Sequence, residues 1–404
     1  MSASPVAFLA RRFLMSRSSD GFLSFIAWVS VVGVALGVLA LVVVTSVING
    51  FEGELIRVIT GMNGDVVLYS RADPISDAKR IEEKIRRAVP ETQAVTASFI
   101  SELMAAGPTS VAGVVVEGLD LGTVGDVTVI PKRIIAGRLP QGDDEVVLTS
   151  ALAEKLGVQV GNEIRLIAPF VGEGGAEAPK ALQVGVVGIA RMGMYEYDSK
   201  FVFATIQGVQ RFLGQPGRVT SFKIKLAPGT DSRKASDRLS ENFGYPFRAK
   251  DWGQLNKNLL YAIQLEKAVI AIILTIIVIV AAFNVVSTLM MMIHDKTREI
   301  AILKAMGFKP SQSFRLFCMV GMGIGMVGTG VGIGLGLGIN EILSRFRFIE
   351  LPPDIYYIGY LPVVTHWHEI YWIGGLALAI TFAATLYPAL KVSHRAPLDG
   401  LRYD

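Results

Sequence analysis

His366 and His368, one residue apart, are spaced so that they could chelate a metal. A lone pair falls short of the three or four protein ligands that such sites use. Trp367 and Trp372 beside them read better as an aromatic belt at a membrane–water interface. His294 and His394 stand at the ends of apolar stretches and read as structural. Cys318 is the single cysteine, so no internal disulfide can form. No nucleophile–base constellation is visible, and no Gly-x-x-x-x-Gly-Lys-Ser/Thr occurs, so the chain has no P-loop and cannot itself be an ATPase. No catalytic residue, metal or cofactor is therefore assigned to it. Two segments remain that could act through binding. Residues 295–307 form a short helix with Ile300, Leu303 and Met306 roughly on one side, ended by Gly307 and Pro310. It is either a solvated connector or a docking helix for a cytoplasmic protein. Residues 168–179 form a loop longer than a hairpin needs, bounded by Pro169 and Pro179 and carrying the apolar pair Phe170 and Val171. It is either a plain surface loop or a hook for a soluble partner.

The elements that must position these segments are set by the bilayer. Hydrophobic residues make up 51% of the 404, and mean hydropathy is +0.47. Residues 21–51, 268–293, 316–340 and 370–390 contain no Asp, Glu, Lys or Arg. A bilayer core needs roughly 20 apolar helical residues, so all four windows qualify, and the spans are placed at 21–51, 267–293, 314–341 and 370–391. The first is too long for a signal peptide and lacks a small-residue cleavage site. Ionisable groups are missing from every span core, which argues against a proton- or ion-coupled carrier. Lys and Arg concentrate in the N-terminal tail (Arg11, Arg12, Arg17), between spans two and three (Lys296, Arg298, Lys304, Lys309, Arg315) and at the C-terminal end (Lys391, Arg395, Arg402), whose tail is 392–404. The positive-inside rule puts these on the cytoplasmic side, with residues 52–266 and the loop 342–369 outside. The net charge of +4 fits this pattern and does not call for nucleic acid. Residues 1–20 form an amphipathic helix, with Val6, Leu9, Ala10 and Phe13 opposite Arg11 and Arg12, lying on the inner lipid surface.

The outer segment alternates short strands and helices. Strands are expected at 65–69, 111–117, 145–148, 163–167, 182–189, 201–204 and 219–226, and helices at 76–89, 150–156, 205–213 and 231–243. The pattern is α+β, with 102–218 a β-rich subdomain inserted into the outer βα units. The fold class is thus a polytopic α-helical membrane protein with four transmembrane helices and a large α+β domain between the first and second. Span three carries glycines four apart, Gly328–Gly332–Gly336 and Gly330–Gly334–Gly338, and span one a stripe of Ser30, Gly33 and Gly37. Both read as close-packing faces. Asn284 in span two is expected to bond another helix.

At this level of detail the chain resembles the permease subunits of the lipoprotein-releasing (Lol) ABC transporters, within the wider MacB-like mechanotransmission class. The likeness runs over nearly the whole chain. It is most specific from Phe25-Ile26-Ala27 through Ser46-Val47-Ile48-Asn49-Gly50-Phe51-Glu52-Gly53-Glu54-Leu55, at Lys296-Thr297-Arg298-Glu299-Ile300-Ala301-Ile302-Leu303-Lys304-Ala305-Met306-Gly307, at Leu351-Pro352-Pro353-Asp354-Ile355-Tyr356-Tyr357 with Leu361-Pro362-Val363, and at Tyr387-Pro388-Ala389 with Leu401-Arg402-Tyr403. The resemblance implies that a cytoplasmic ATPase dimer, which binds ATP and Mg, grips the 294–313 segment through Arg298, Glu299, Ile300, Leu303, Lys304, Met306 and Gly307. It implies a second permease chain, identical or a sister. Between the two chains an acylated lipoprotein would enter a cavity from the outer leaflet of the inner membrane. Apolar walls for that cavity are sought in Val43, Val44, Val47, Ile48 and Phe51 of span one and Leu265, Val269 and Ile273 of span two. The loop with Pro169, Phe170, Val171 and Pro179 lies where the family's hook for a periplasmic carrier chaperone is expected, although its Gly/Glu content departs from the family's Pro/polar loop. Within the same class, an exporter of drugs, peptides or toxins, or a scaffold that regulates cell-wall hydrolases without moving cargo, are the alternatives.

Overall fold

The computed structural model describes residues 21–168, 179–346 and 360–394, with the side chains of 21–24 excluded. The expected N-terminal amphipathic helix at 1–20, the expected loop at 169–178, the stretch 347–359 and the tail 395–404 lie outside the described residues.

The chain divides into a helical unit (Met1–Phe51, Ala262–Ile349, Leu361–Asp404) and an outer unit (Glu52–Tyr261, Glu350–Tyr360). In chain order the elements are α1 (Gly21–Asn63), β1 (Val66–Ser70), α2 (Ala78–Ala88), β2 (Thr92–Ala106), β3 (Val111–Leu119), α3 (Val124–Val127), β4 (Ile134–Gly137), β5 (Glu145–Thr149), α4 (Ser150–Leu156), β6 (Glu163–Ala168), β7 (Lys180–Ala190), α5 (Tyr195–Asp198), β8 (Phe201–Thr205), α6 (Ile206–Phe212), β9 (Ser221–Leu226), α7 (Ser232–Phe243), β10 (Phe247–Asp251), α8 (Trp252–Leu255), α9 (Lys257–Asp295), α10 (Thr297–Ala305), α11 (Pro310–Phe346) and α12 (Trp367–His394). Four of these helices, α1, α9, α11 and α12, are long and apolar enough to cross a membrane. All four extend past the charge-free windows.

In the outer unit ten strands share one sheet, in the order β10-β1-β9-β2-β3-β8-β5-β7-β4, with β6 pairing both β2 and β7. That double pairing closes β2, β3, β8, β5, β7 and β6 into a ring. β2 belongs to both parts of the sheet. Its first half pairs with β9, and from Ser98 onward it pairs with β3. The expected subdomain edge at Glu102 falls inside this strand. Sequence periodicity did not reveal β2 or β10: β2 is rich in Ala, Ser and Thr, and β10 reads Phe-Arg-Ala-Lys-Asp. Where alternation is clear it matches burial, as in β6, whose Ile164, Leu166 and Ala168 point into the core. Several helices of the outer unit start on side-chain caps: Asp77 accepts from Arg80 N for α2, Thr205 from Gly208 N for α6, and Asp231 from Arg233 N and Lys234 N for α7.

The edge strand β10 is closed by a side chain. Ser240 Oγ of α7 donates to Ala249 O at 3.2 Å and accepts from Ala249 N at 3.0 Å. The outward backbone pair at Ala249, which would otherwise invite another strand, is thereby satisfied.

In the helical unit the first glycine stripe of α11 packs on α1. A Cβ added to Gly328, Gly332 or Gly336 would meet Val34, the Ala35 carbonyl or Val42 at under 3 Å. Gly321 and Gly325 instead face Thr385 and Thr381 of α12. The second stripe does not behave as expected: Gly330, Gly334 and Gly338 have no neighbour within 4 Å. One helix can bury only the faces its neighbours cover, and the two stripes point in different directions. Ser30 Oγ lies 2.6 Å from Thr288 Oγ1 and donates to Asn284 O, so the Asn284 contact to α1 runs through its backbone carbonyl.

Candidate functional site

The coupling segment is two-faced. Thr297 Oγ1 donates to Ile293 O at 2.8 Å where α10 takes over from α9, and Gly307 ends the turn with φ +96°. Ile300 (7% exposed) and Ala301 are buried in the helical unit's core. Lys304 Nζ donates to Val392 O at 2.8 Å and Ser393 O at 3.2 Å, the last carbonyls of α12. A cation there satisfies orphan carbonyls and opposes the helix dipole. The opposite face carries Arg298, Glu299, Ile302 (47% exposed) and Met306 (80% exposed), with Leu303 half-buried between the two faces. The expected grouping of Ile300 with Leu303 and Met306 is thus corrected. Ile300 and Lys304 fasten the helix to the bundle, and Ile302, absent from the expected grouping, stands with Met306 on the outside. Lys296 Nζ bonds Glu299 Oε1 at 2.6 Å and holds that carboxylate on the outer face.

Of the apolar wall residues, Leu265, Val269 and Ile273 of α9 are each about half exposed, in one continuous strip with Ile272, Ile276, Val280 and Phe283. Val43, Val44, Val47, Ile48 and Phe51 of α1 are partly covered, and Val44 packs on the bundle core. An apolar strip of this length is covered by lipid, by another chain or by cargo.

Two of the sequence segments that carry the resemblance meet in space. Val364 N donates to Ser46 O at 2.9 Å, and a Cβ on Gly50 would sit 2.3 Å from the Pro362 carbonyl. Asn340 Nδ2 of α11 donates to Ser46 Oγ at 2.8 Å and Thr365 Oγ1 at 3.1 Å. One turn on, Asn49 accepts from Lys267 Nζ at 3.0 Å and donates to Glu369 Oε2. Each of the four long helices, or the approach to it, contributes to this polar knot. Gly50 is obligatory at the crossing because any side chain would strike backbone.

In the outer unit the end of α1 is gripped by the sheet. Val129 N donates to Gly61 O at 2.8 Å, Lys223 Nζ to Met62 O at 3.0 Å, and Asn63 Nδ2 to Tyr197 Oη at 3.0 Å. Lys223 and Glu117 are each 1% exposed with Nζ 2.5 Å from Oε1. The approach is an ion pair without good hydrogen-bond alignment, since neither carboxylate oxygen receives a bond of ordinary geometry. Burial pushes the Tyr197 hydroxyl above its ordinary value, against the bond from Asn63. None of this was legible, because a lysine in an alternating strand reads as solvent-facing.

Of the hook residues, Pro169, Phe170 and Val171 lie outside the described residues. Pro179 is exposed just before β7. The β6–β7 ladder runs up to Ala168 opposite Lys180. Among the described residues no cluster of three or more metal-ligating side chains occurs.

The family described as the MacB-like periplasmic core domain matches residues 27–242, and the FtsX-like permease C-terminal family matches residues 271–397. The chain is 31% identical to the lipoprotein-releasing system transmembrane protein LolC of Neisseria meningitidis serogroup B, covering 98% of this chain and 99% of that one. The chain belongs to the LolC/LolE permease family. Other members lie close by. The LolC of Xylella fastidiosa strain Temecula1 is 29% identical over 97% of both chains, and the LolE of Haemophilus influenzae is 27% identical over 98% of both. Both LolC and LolE thus align end to end with this permease. The two family matches divide the chain as the fold does, one over α1 and most of the outer unit, the other from α9 to the end of α12.

Proposed function

We propose that the chain is the membrane-spanning permease subunit of an ATP-driven lipoprotein-releasing complex in the bacterial inner membrane, with both termini cytoplasmic and the 52–266 domain in the periplasm. The observation that carries this is end-to-end likeness to LolC together with an anchored coupling helix whose outer face is free to engage a second protein. An ATPase dimer, holding ATP and Mg, docks on Arg298, Glu299, Ile302 and Met306. Because Ile300 and Lys304 tie α10 to the bundle, a push on that face moves the spans as well as the connector. The chain pairs with a second permease, and the half-exposed strip of α9 lines the path for acyl chains. Drawing an acyl chain into water costs about 0.8 kcal/mol per CH₂, so extraction needs both nucleotide energy and an apolar route. The lipoprotein then passes to a carrier chaperone captured by the 169–179 segment.

The test is reconstitution of the chain with its ATPase and a sister permease in proteoliposomes loaded with an acylated lipoprotein. ATP-dependent release to a carrier is expected. Glu299→Lys with Met306→Asp should leave the complex inserted but reduce release at least tenfold. Absence of ATPase association, or full release in the double variant, refutes the docking assignment.

A further inference from the structure

Some cations of the outer unit are held in ion pairs. Arg57, Arg86, Arg87, Arg138, Arg211, Lys225, Lys234 and Arg238 each have a carboxylate partner within 4.0 Å. Among those without such a partner, four gather in one place. Arg71 after β1, Arg248 and Lys250 on β10 and Lys257 at the start of α9 converge on one cleft of about 590 Å³, and none makes an ion pair among the described residues. Asp237 is the single acid in the lining. Helix α7 ends in the same cleft at Gly244, where its carbonyls add roughly half a negative charge. Against four cations this leaves a surplus of more than two positive charges in a concave site. Charges drawn together from three elements repel one another, and an anion relieves that repulsion.

We propose that this cleft binds a phosphate group, either a soluble phosphate ester or the headgroup of a phospholipid. The volume lies within the range of small-ligand sites. Two guanidiniums present the planar fork that suits phosphate oxygens, and two ammoniums add point charge. An acidic extended peptide added to the sheet fits less well, because Ser240 already occupies the outward N–H and C=O of Ala249 on the edge strand that floors the cleft. Tyr245 on the lining is 86% exposed and Tyr261, one turn beyond Lys257 on α9, is 66% exposed. Both offer ring faces to the apolar part of a phosphate ester.

The experiment uses the full-length chain in an uncharged detergent and counts bound ligand by native mass spectrometry and by calorimetric titration. One arm titrates glycerol 1-phosphate. The other titrates phosphatidylglycerol, with phosphatidylcholine as the control. Binding in the phosphatidylglycerol arm alone assigns a lipid headgroup, and binding in the glycerol 1-phosphate arm assigns a soluble ester. In either case affinity should fall with added salt and drop about fivefold for each cation neutralised. Arg248→Gln with Lys250→Gln should therefore weaken binding about 25-fold. Arg86→Gln with Arg87→Gln, which removes paired cations of α2, should change nothing. Thermal melting of each variant checks that the fold is intact, and the salt dependence of the unaltered chain stands independently of any variant. No binding in either arm, salt-insensitive binding, equal affinity in the Arg248/Lys250 variant, or capture of an acidic peptide alone overturns the assignment.

Discussion

Replacing Lys223 with Met tests how the sheet holds the end of α1. The ammonium and the Glu117 carboxylate are both 1% exposed. The substitution keeps roughly the same volume but leaves a carboxylate buried without its counter-ion and Met62 O without its donor. Breaking a buried pair from one side costs about 3–5 kcal/mol, and a buried carbonyl left unpaired costs about 1–3 kcal/mol within that loss. Hydrogen exchange of the intact membrane-embedded chain reads this directly. Amides of β3 and β9 that exchange only on unfolding of the outer unit should exchange about 10²–10⁴-fold faster. Adding Glu117→Leu removes the stranded charge, and replacing a buried pair by apolar residues is often neutral. The double variant should therefore recover more than half of the loss, keeping only the deficit at the Met62 carbonyl. A single variant within threefold of wild type, or a double variant no better than the single, refutes the reasoning. The first result would mean that water reaches the pair, and the second that packing at position 223 sets the cost.

Further outcomes are open to measurement. Gly332→Leu should lower stability of the detergent-solubilised chain by about 1–3 kcal/mol through overpacking against α1, whereas Gly334→Leu, which meets no atom within 4 Å, should leave the melting temperature unchanged; equal effects would sink the assignment of faces. The carboxyl of Glu145 is held down to about 2 by the Arg138 guanidinium and then by the Gln141 and Gly142 amides. A depressed folded value means that its contribution is complete above the ordinary carboxylate range near 4.5 and is lost as pH falls toward 2. Acid titration of stability should therefore be shallower over that window in Glu145→Gln, and an unaltered slope would show the pair to be inert. Phe170→Asp with Val171→Asp should weaken capture of the carrier chaperone at least tenfold while ATPase assembly persists, and undiminished capture would remove the hook from the proposed function.

The sequence by itself determined the four spans, because a bilayer core admits no unpaired backbone group and few charges, and charge-free windows of sufficient length have few other uses. It also determined most strands and helices of the outer domain, since alternation in β6 and β7 and the caps at Asp77, Thr205 and Asp231 are local signals. Tertiary structure alone decided which of two equivalent glycine stripes meets α1, because a repeat of four says that a face is small and not which neighbour covers it. It decided that Ile300 and Lys304 turn inward on α10 while Ile302 and Met306 turn outward, through the position of the α12 terminus 88 residues away. It placed Lys223 beside Glu117, two residues on strands separated by β2. It also brought Gly50 against Pro362. Each of these depends on long-range contacts that no local pattern of residues encodes.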